Sequence, residues 1–160
     1  MSSALRLDDY LPYRLSVASN EVSRLIARAY EDRFGLSVPQ WRLICILAED
    51  GPSTPQAIVA RTATDKVIVS RAAQALVTRR LVQRTPNQSD GRSHHLELTD
   101  TGRALHAEVT PLALRYEQDV IQGLSEADIA GLKRLLARIE GTAARPVSYT
   151  HLTLPTIYSV

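Results

Sequence analysis

Between Thr54 and Thr99 the chain runs through two short helical patterns and then, at once, two β-prone stretches around a polar turn. That order constrains the fold more than any other feature of the sequence. Thr54-Pro55 opens a short helix with proline at its first position, ending near Thr62. A second helix is expected from about Asp65 to Leu81, with Ile68, Ala72, Ala75 and Leu76 as its core stripe at 3.6-residue spacing. On the opposite face lie Lys66, Ser70 and Gln74, at i, i+4 and i+8. The stretch from Thr85 to Thr99 then reads as a hairpin whose Asp90-Gly91 turn brings Arg92 to the tip, with Val82, Leu96 and Leu98 facing inward. A helix pair followed by an arginine-tipped hairpin predicts a two-groove DNA reader. One helix suits the major groove, and one guanidinium suits the narrow minor groove.

Charge agrees with this placement. From Arg61 to His95 there are seven basic residues (Arg61, Lys66, Arg71, Arg79, Arg80, Arg84 and Arg92) against Asp65 and Asp90, a net of +5, while the remainder carries twelve basic and fifteen acidic residues, a net of −3. Positive charge is thus concentrated on the segment expected to meet phosphates. The bland alternative is a solvated basic helix face.

The flanking segments read as helices. Leu11, Leu15, Ala18, Val22, Leu25 and Ala29 are spaced 4, 3, 4, 3, 4, a heptad seam on one helix expected from about Asp8 to Phe34 and closed by Gly35. A seam this narrow seeks another helix, from the same chain or from a partner. Ser37-Val-Pro-Gln40 makes a capping-box start for an apolar, central helix through Ala48, which Asp50-Gly-Pro-Ser ends. A long helix is expected from Asp100 to about Gly123, with Pro111 as its one bend point. Ser125-Glu-Ala-Asp128 caps a last helix striped by Ile129, Leu132, Leu135, Leu136 and Ile139. The class is therefore mainly α (α+β), with the DNA-reading unit in the middle and both chain ends left to pack together.

At 160 residues, 44% hydrophobic and 22% charged, the chain suits one soluble globular domain. No apolar run approaches the roughly 20 residues a membrane helix needs, so no membrane partner is expected. The N-terminus lacks the apolar core of a signal peptide, and a single cysteine, Cys45, excludes an internal disulfide. A cytoplasmic location is expected.

Each candidate contact has a chemical reason. Lys66 can bond guanine O6 and N7, Gln74 can pair with adenine, Ser70 permits close approach, and Val67 can touch a thymine methyl. Arg71, toward the side of the helix, and Arg84, on the hairpin, suit phosphate. Thr54, at the start of the helix pair, completes the set.

The run Asp65-Lys-Val-Ile-Val-Ser-Arg-Ala-Ala-Gln-Ala-Leu76, then Arg80-Leu-Val-Gln-Arg84, Asp90-Gly-Arg92 and Leu98-Thr-Asp-Thr-Gly102, resembles the MarR family of winged-helix regulators over residues 8–142. The resemblance implies a winged helix-turn-helix lobe over about 36–100 and a helical dimerisation region from 7–35 and 101–143, together one domain over 1–145. It implies an obligate homodimer whose first and last helices entwine. It also implies a pseudo-palindromic double-stranded DNA operator and release of that DNA when a small effector binds, and a repressor is the expected mode. By the resemblance, Ser70 and Arg71 match the family's Thr/Ser-Arg pair and Arg92 its wing-tip arginine. Two departures stand out. The family's glycine before the first wing strand is absent near Arg80-Leu81, and the usual Asp-Arg-Arg of the wing is Asp90-Gly91-Arg92, one phosphate-binding arginine short. A winged-helix protein-interaction module without sequence-specific DNA binding is the competing reading, and that missing arginine is its support.

The family's habitual ligand, an aromatic carboxylate between the dimerisation helices and the DNA-binding lobe, would be lined here by Tyr10, Tyr13, Arg14 and Trp41; the alternative is aromatic rings that fill core. Cys45 falls in an apolar helix, outside the first helix where peroxide-sensing members carry theirs, and reads as a buried structural thiol. His94 and His95 are adjacent in a strand and point to opposite faces, so with Asp90 and Glu97 they do not make a metal site. No Gly-rich phosphate loop, nucleophile elbow or metal-ligand spacing supports catalysis, and no cofactor is expected. Residues 146–160 contain no Asp, Glu, Lys or Arg, and Val147 to Thr156 resembles the translation of a transposon-type library adaptor. This segment reads as a non-native tail, the alternative being an authentic β-prone one.

Overall fold

Tyr30 interrupts the helix expected over residues 8–34. The computed structural model describes residues 5–87 and 93–145, so the hairpin tip with Asp90 and Arg92 and the 146–160 tail lie outside the described residues. After a 3₁₀ turn at Leu7–Asp9, α1 covers Leu11–Ala27 and a single turn, α2, covers Glu31–Phe34. Between them the chain leaves helical geometry, and Ala29 and Tyr30 are 4% and 2% exposed. Tyr30 stacks on Trp41 with ring centroids 5.5 Å apart, and its carbonyl accepts from Leu36 N–H at 3.1 Å. A straight helix would not seat this ring in the core, so aromatic burial overrides local propensity. Gly35 closes α2 at φ 60, the left-handed conformation that suits glycine.

Capping chemistry sets the next starts as the sequence predicts. Gln40 Oε1 accepts from Ser37 N–H at 2.9 Å in the capping box of α3 (Val38–Asp50). Thr54 Oγ1 accepts from Ala57 N–H at 3.2 Å at the head of α4 (Pro55–Thr62), and Asp65 Oδ1 accepts from Val67 N–H at 2.7 Å at the head of α5 (Lys66–Thr78). Helix α5 stops three residues short of its expected end and is rotated from its expected setting. Val69, Ala72, Ala73 and Leu76 are buried, while Ile68 is 42% exposed and Ala75 half-buried.

The turn that lacks the family glycine is made by Arg80 itself, at φ 57. Its N–H still donates to Val77 O at 2.9 Å, and Leu81 N–H to Leu76 O at 3.0 Å. A left-handed non-glycine residue costs about 1–2 kcal/mol. Arg80→Gly is therefore expected to stabilise the fold by about 1 kcal/mol, read as a higher urea midpoint at unchanged slope. A lower midpoint would show that the side chain, not the backbone, decides this position.

Strands β1 (Val82–Pro86) and β2 (His94–Leu98) pair antiparallel, with Val82 opposite Leu98 and Arg84 opposite Leu96. Ser53 extends the ladder, exchanging backbone bonds with Leu96 at 3.0 and 2.8 Å and pinning the start of the helix pair to the wing. Val82, Leu96 and Leu98 point inward, each at most 1% exposed, beside Ile44, Ile58 and Leu76.

The Leu98-Thr-x-x-Gly102 block has a packing reason. Thr99 Oγ1 donates to Arg80 O at 2.7 Å and accepts from Gly102 N–H at 3.0 Å, while Thr99 N–H donates to Leu81 O at 3.1 Å. Helix α6 (Asp100–Ile121) begins there and runs through Pro111.

The chain divides after Val120 into two compact units. The second holds α7 (Glu126–Ala143), whose capping box joins Ser125 and Asp128, with Ser125 Oγ and Asp128 Oδ2 2.6 Å apart. Hydrogen bonds from the Ser125 hydroxyl and N–H hold the Asp128 carboxyl below the usual carboxylate range. No residue of α7 is buried, and Leu132, Leu135 and Ile139 are exposed. No described helix is long and apolar enough to cross a membrane.

Candidate nucleic-acid interface

Because Val69, Ala72, Ala73 and Leu76 turn into the core, α5 presents Lys66, Val67, Ser70, Arg71 and Gln74 to solvent. These are the five helix residues expected to meet DNA. Lys66, Val67 and Ser70 occupy its first two turns, the end that reaches base edges. Val67 is 47% exposed, an apolar side chain that nothing within the chain requires outside. The outward face of α5 is thus mostly polar, basic and small, with Val67 and Ile68 as its exposed apolar side chains.

A cleft of about 400 Å³ joins this face to the wing. Lys66 and Ser70 of α5, Arg84 and His94 of the strands, and Pro55 and Gln56 of α4 line it. The structure therefore brings together Lys66, Ser70 and Arg84. Gln56 and His94 join the candidates only through the fold, which sets His94 opposite Pro86 in the wing and lines the cleft with both. Arg84 Nη2 donates to Gln74 Oε1 at 2.8 Å, and Gln74 Nε2 donates to Thr78 Oγ1 at 3.4 Å. In the free protein the Gln74 amide is therefore engaged by a wing arginine. Thr54 is half-buried and spends its acceptor on the α4 cap, with only its O–H left for a phosphate.

The seven-residue basic cluster sorts into distinct roles. Arg61 faces Glu49 and Asp50, both at 3.5 Å, which neutralises it locally. Arg79 is held by two backbone carbonyls. Lys66, Arg71 and Arg80 have no ion pair among the described residues. They remain available to phosphates, as exposed cations not already spent inside the protein. Arg92 lies outside the described residues.

The proposed effector residues do not converge. Trp41 is 8% exposed and stacks with both Tyr30 and His106, the latter at 5.6 Å, whereas Tyr10 and Tyr13 are 43% and 40% exposed near the start of α1. Trp41 borders an open pocket of about 340 Å³ with Arg42, Cys45, Ile46, Arg61 and Thr62, and none of Tyr10, Tyr13 or Arg14 reaches it. Burial, then the nearby Glu49 carboxylate, pushes the Cys45 thiol up to about 11, so at neutral pH it is protonated and a poor nucleophile. Burial and the adjacent Glu31 likewise raise Tyr30.

A family model described as MarR family matches residues 34–93, which span the helix pair and the wing. The HTH-type transcriptional repressor NicR of Pseudomonas putida is 26% identical over 141 residues, covering 82% of this chain and 87% of that protein. A probable transcriptional regulator from Pseudomonas aeruginosa, known by crystal structure, is 30% identical with a TM-score of 0.73, covering 84% of this chain and 99% of its own. The Bordetella bronchiseptica protein BpsR, whose DNA binding is regulated by 6-hydroxynicotinic acid, shares the fold at TM-score 0.78 and 24% identity, over 86% of this chain and 98% of that one.

Proposed function

Because the chain belongs to the MarR family of winged helix-turn-helix transcriptional regulators, we propose that it acts as a homodimeric, sequence-specific repressor that leaves its operator when a small aromatic carboxylate binds. The observation that carries this reading is the split of α5, with an apolar face in the core and Lys66, Val67, Ser70, Arg71 and Gln74 outside. In this reading about 36–100 form the DNA-binding lobe, and 7–35 with 101–143 form the dimerisation region, in a protein that works in the cytoplasm and catalyses nothing. The two recognition helices enter major grooves about 10 base pairs apart, and each Arg92 reaches a flanking minor groove. The regulation of BpsR by 6-hydroxynicotinic acid supports the effector class and names the first compound to try.

Selection of binding sites from random DNA, followed by titration at two salt concentrations, tests the proposal. A pseudo-palindrome should emerge, with affinity falling steeply as salt rises. Lys66→Ala is expected to cost about 1–3 kcal/mol and to relax preference at one base pair per half-site. Arg71→Ala should instead weaken all sequences alike and reduce the salt slope by about 0.9 per lost phosphate contact. Arg92→Ala should weaken operator binding markedly. No enriched sequence would sink the reading and favour a protein-interaction module.

A further inference from the structure

Arg79, at the foot of α5, is the one residue of the basic cluster, among the described residues, whose guanidinium is committed to backbone. Nη2 donates to Phe34 O at 2.7 Å and Nη1 to Gly35 O at 3.0 Å, across 45 and 44 residues of sequence. Those carbonyls lie at the end of α2, where C=O groups have no intrahelical donor and need a partner. A planar fork can hold both acceptors at once, a geometry that a lysine ammonium does not match. Its own N–H donates to Ala75 O at 3.1 Å, so the residue that terminates the recognition helix also grips the end of another helix.

The same turn is held from a second side. Arg33 Nη2 donates to Glu108 Oε1 of α6 at 2.7 Å, and its guanidinium sits 5.1 Å from the centroid of the Phe34 ring. Helix α2 is therefore a junction: charged contacts lead from it to α5 and to α6, and α1 enters it through the buried Ala29-Tyr30 step.

We propose that Arg79 is a positioning residue for operator recognition. It fixes the angle of α5 against the α2 junction, and so the separation of the two recognition helices in a dimer, without touching DNA. This rests on the reading of the chain as a dimeric operator-binding regulator. The competing role is a plain phosphate contact at the end of a recognition helix.

Arg79→Lys and Arg79→Ala, made in the full chain, separate the two roles. Affinity is measured for the selected operator, for random DNA, and for operators whose half-site spacing is changed by one base pair. If Arg79 positions α5, both variants should lose about tenfold in operator affinity, the size of one charge-assisted bond, because lysine keeps the charge but not the fork. Random-DNA affinity and salt slope should stay as in the wild type, and the preference for one spacing should flatten. Wild-type behaviour in Arg79→Lys, with Arg79→Ala losing operator and random DNA alike and about 0.9 of salt slope, would overturn the proposal in favour of a phosphate contact.

Amide hydrogen exchange in the DNA-free protein tests the tie itself. The Gly35 and Leu36 amides, bonded to Glu31 O at 2.9 Å and Tyr30 O at 3.1 Å, should exchange faster in Arg79→Lys. Unchanged exchange there also overturns the proposal, whatever the DNA data show. If the wild type prefers no operator at all, the operator reading falls and the positioning role with it, while exchange still reports whether the tie exists.

Discussion

Gly102→Ala is expected to destabilise the protein by about 3 kcal/mol or more and to abolish operator binding. Gly102 is helical, so the argument concerns space rather than backbone freedom. A Cβ there would collide with the Leu81 carbonyl oxygen and lie 3.0 Å from the Leu81 carbonyl carbon and 3.2 Å from Leu98 Cδ2. The obstacle is backbone, which cannot swing aside as a flexible side-chain end can. Relief requires α6 to move off the strand entry, and that breaks the bonds joining Thr99 to Arg80 O, Leu81 O and Gly102 N–H. Leu81, Val82 and Leu98 are each at most 5% exposed, so the disturbance reaches the core and re-aims the wing. Against a total stability of about 5–15 kcal/mol, such a loss is large. Gly141→Ala provides the contrast, since nothing lies within 4 Å of its would-be Cβ. There alanine should be neutral or stabilising by up to about 0.5–1 kcal/mol through helix propensity. Urea melts of both variants check the pair; equal effects would mean that close approach is not why glycine stands at position 102.

Much of this architecture is legible before any coordinates, because it is local. Ser37 with Gln40, Thr54 before Pro55, and Ser125 with Asp128 each declare a helix start through side chains a few bonds from the backbone they satisfy. Inward Val82, Leu96 and Leu98 follow from strand alternation. What escapes is whatever depends on distant partners. Nothing in Arg28-Ala-Tyr30 announces a break; Tyr30 leaves the helix because Trp41 is waiting for it. Ile68 and Val69 are adjacent and equally apolar, and only the packing of α5 on α3 and α4 decides that Val69 turns in.

The interface divides the same way. An outward face of Lys66, Ser70 and Gln74 is readable from four-residue spacing. The grip of Arg84 on the Gln74 side chain, and of Arg79 on the Phe34 and Gly35 carbonyls, is not, because each joins an arginine that the sequence offers only as a member of a basic run to a partner that folding brings beside it. Charge alone marks the segment that carries the candidate interface but overstates the cations free to meet DNA, since Arg61 and Arg79 are spent within the protein.

In the proposed homodimer, Leu135→Glu should leave a monomer and weaken operator binding by about 10²–10⁴-fold, the span that linking two half-site contacts confers. Helix α7 buries none of its residues, yet Leu132 and Leu135 are 49% and 50% exposed on its apolar stripe. Most helices in proteins owe their stability to tertiary burial of such a stripe rather than to intrinsic propensity. Helix α1 poses the same problem, with Leu11 58% exposed at the head of its heptad seam. Burying one leucine fully is worth about 1.5–3 kcal/mol, so several on each protomer supply a strong drive toward a second copy. A glutamate at 135 removes one such contribution from each protomer and adds a charge that is costly to bury unpaired. Within the lone protomer the position is already half in water, so the fold itself should survive, which circular dichroism verifies. Sedimentation velocity then reads the oligomer, and titration against one isolated half-site reads the recognition surface. The expected pattern is a folded monomer with half-site affinity unchanged and full-operator affinity collapsed. A dimer that binds the full operator as the wild type does would remove α7 from the interface. Leu11→Glu would then ask the same question of the α1 seam.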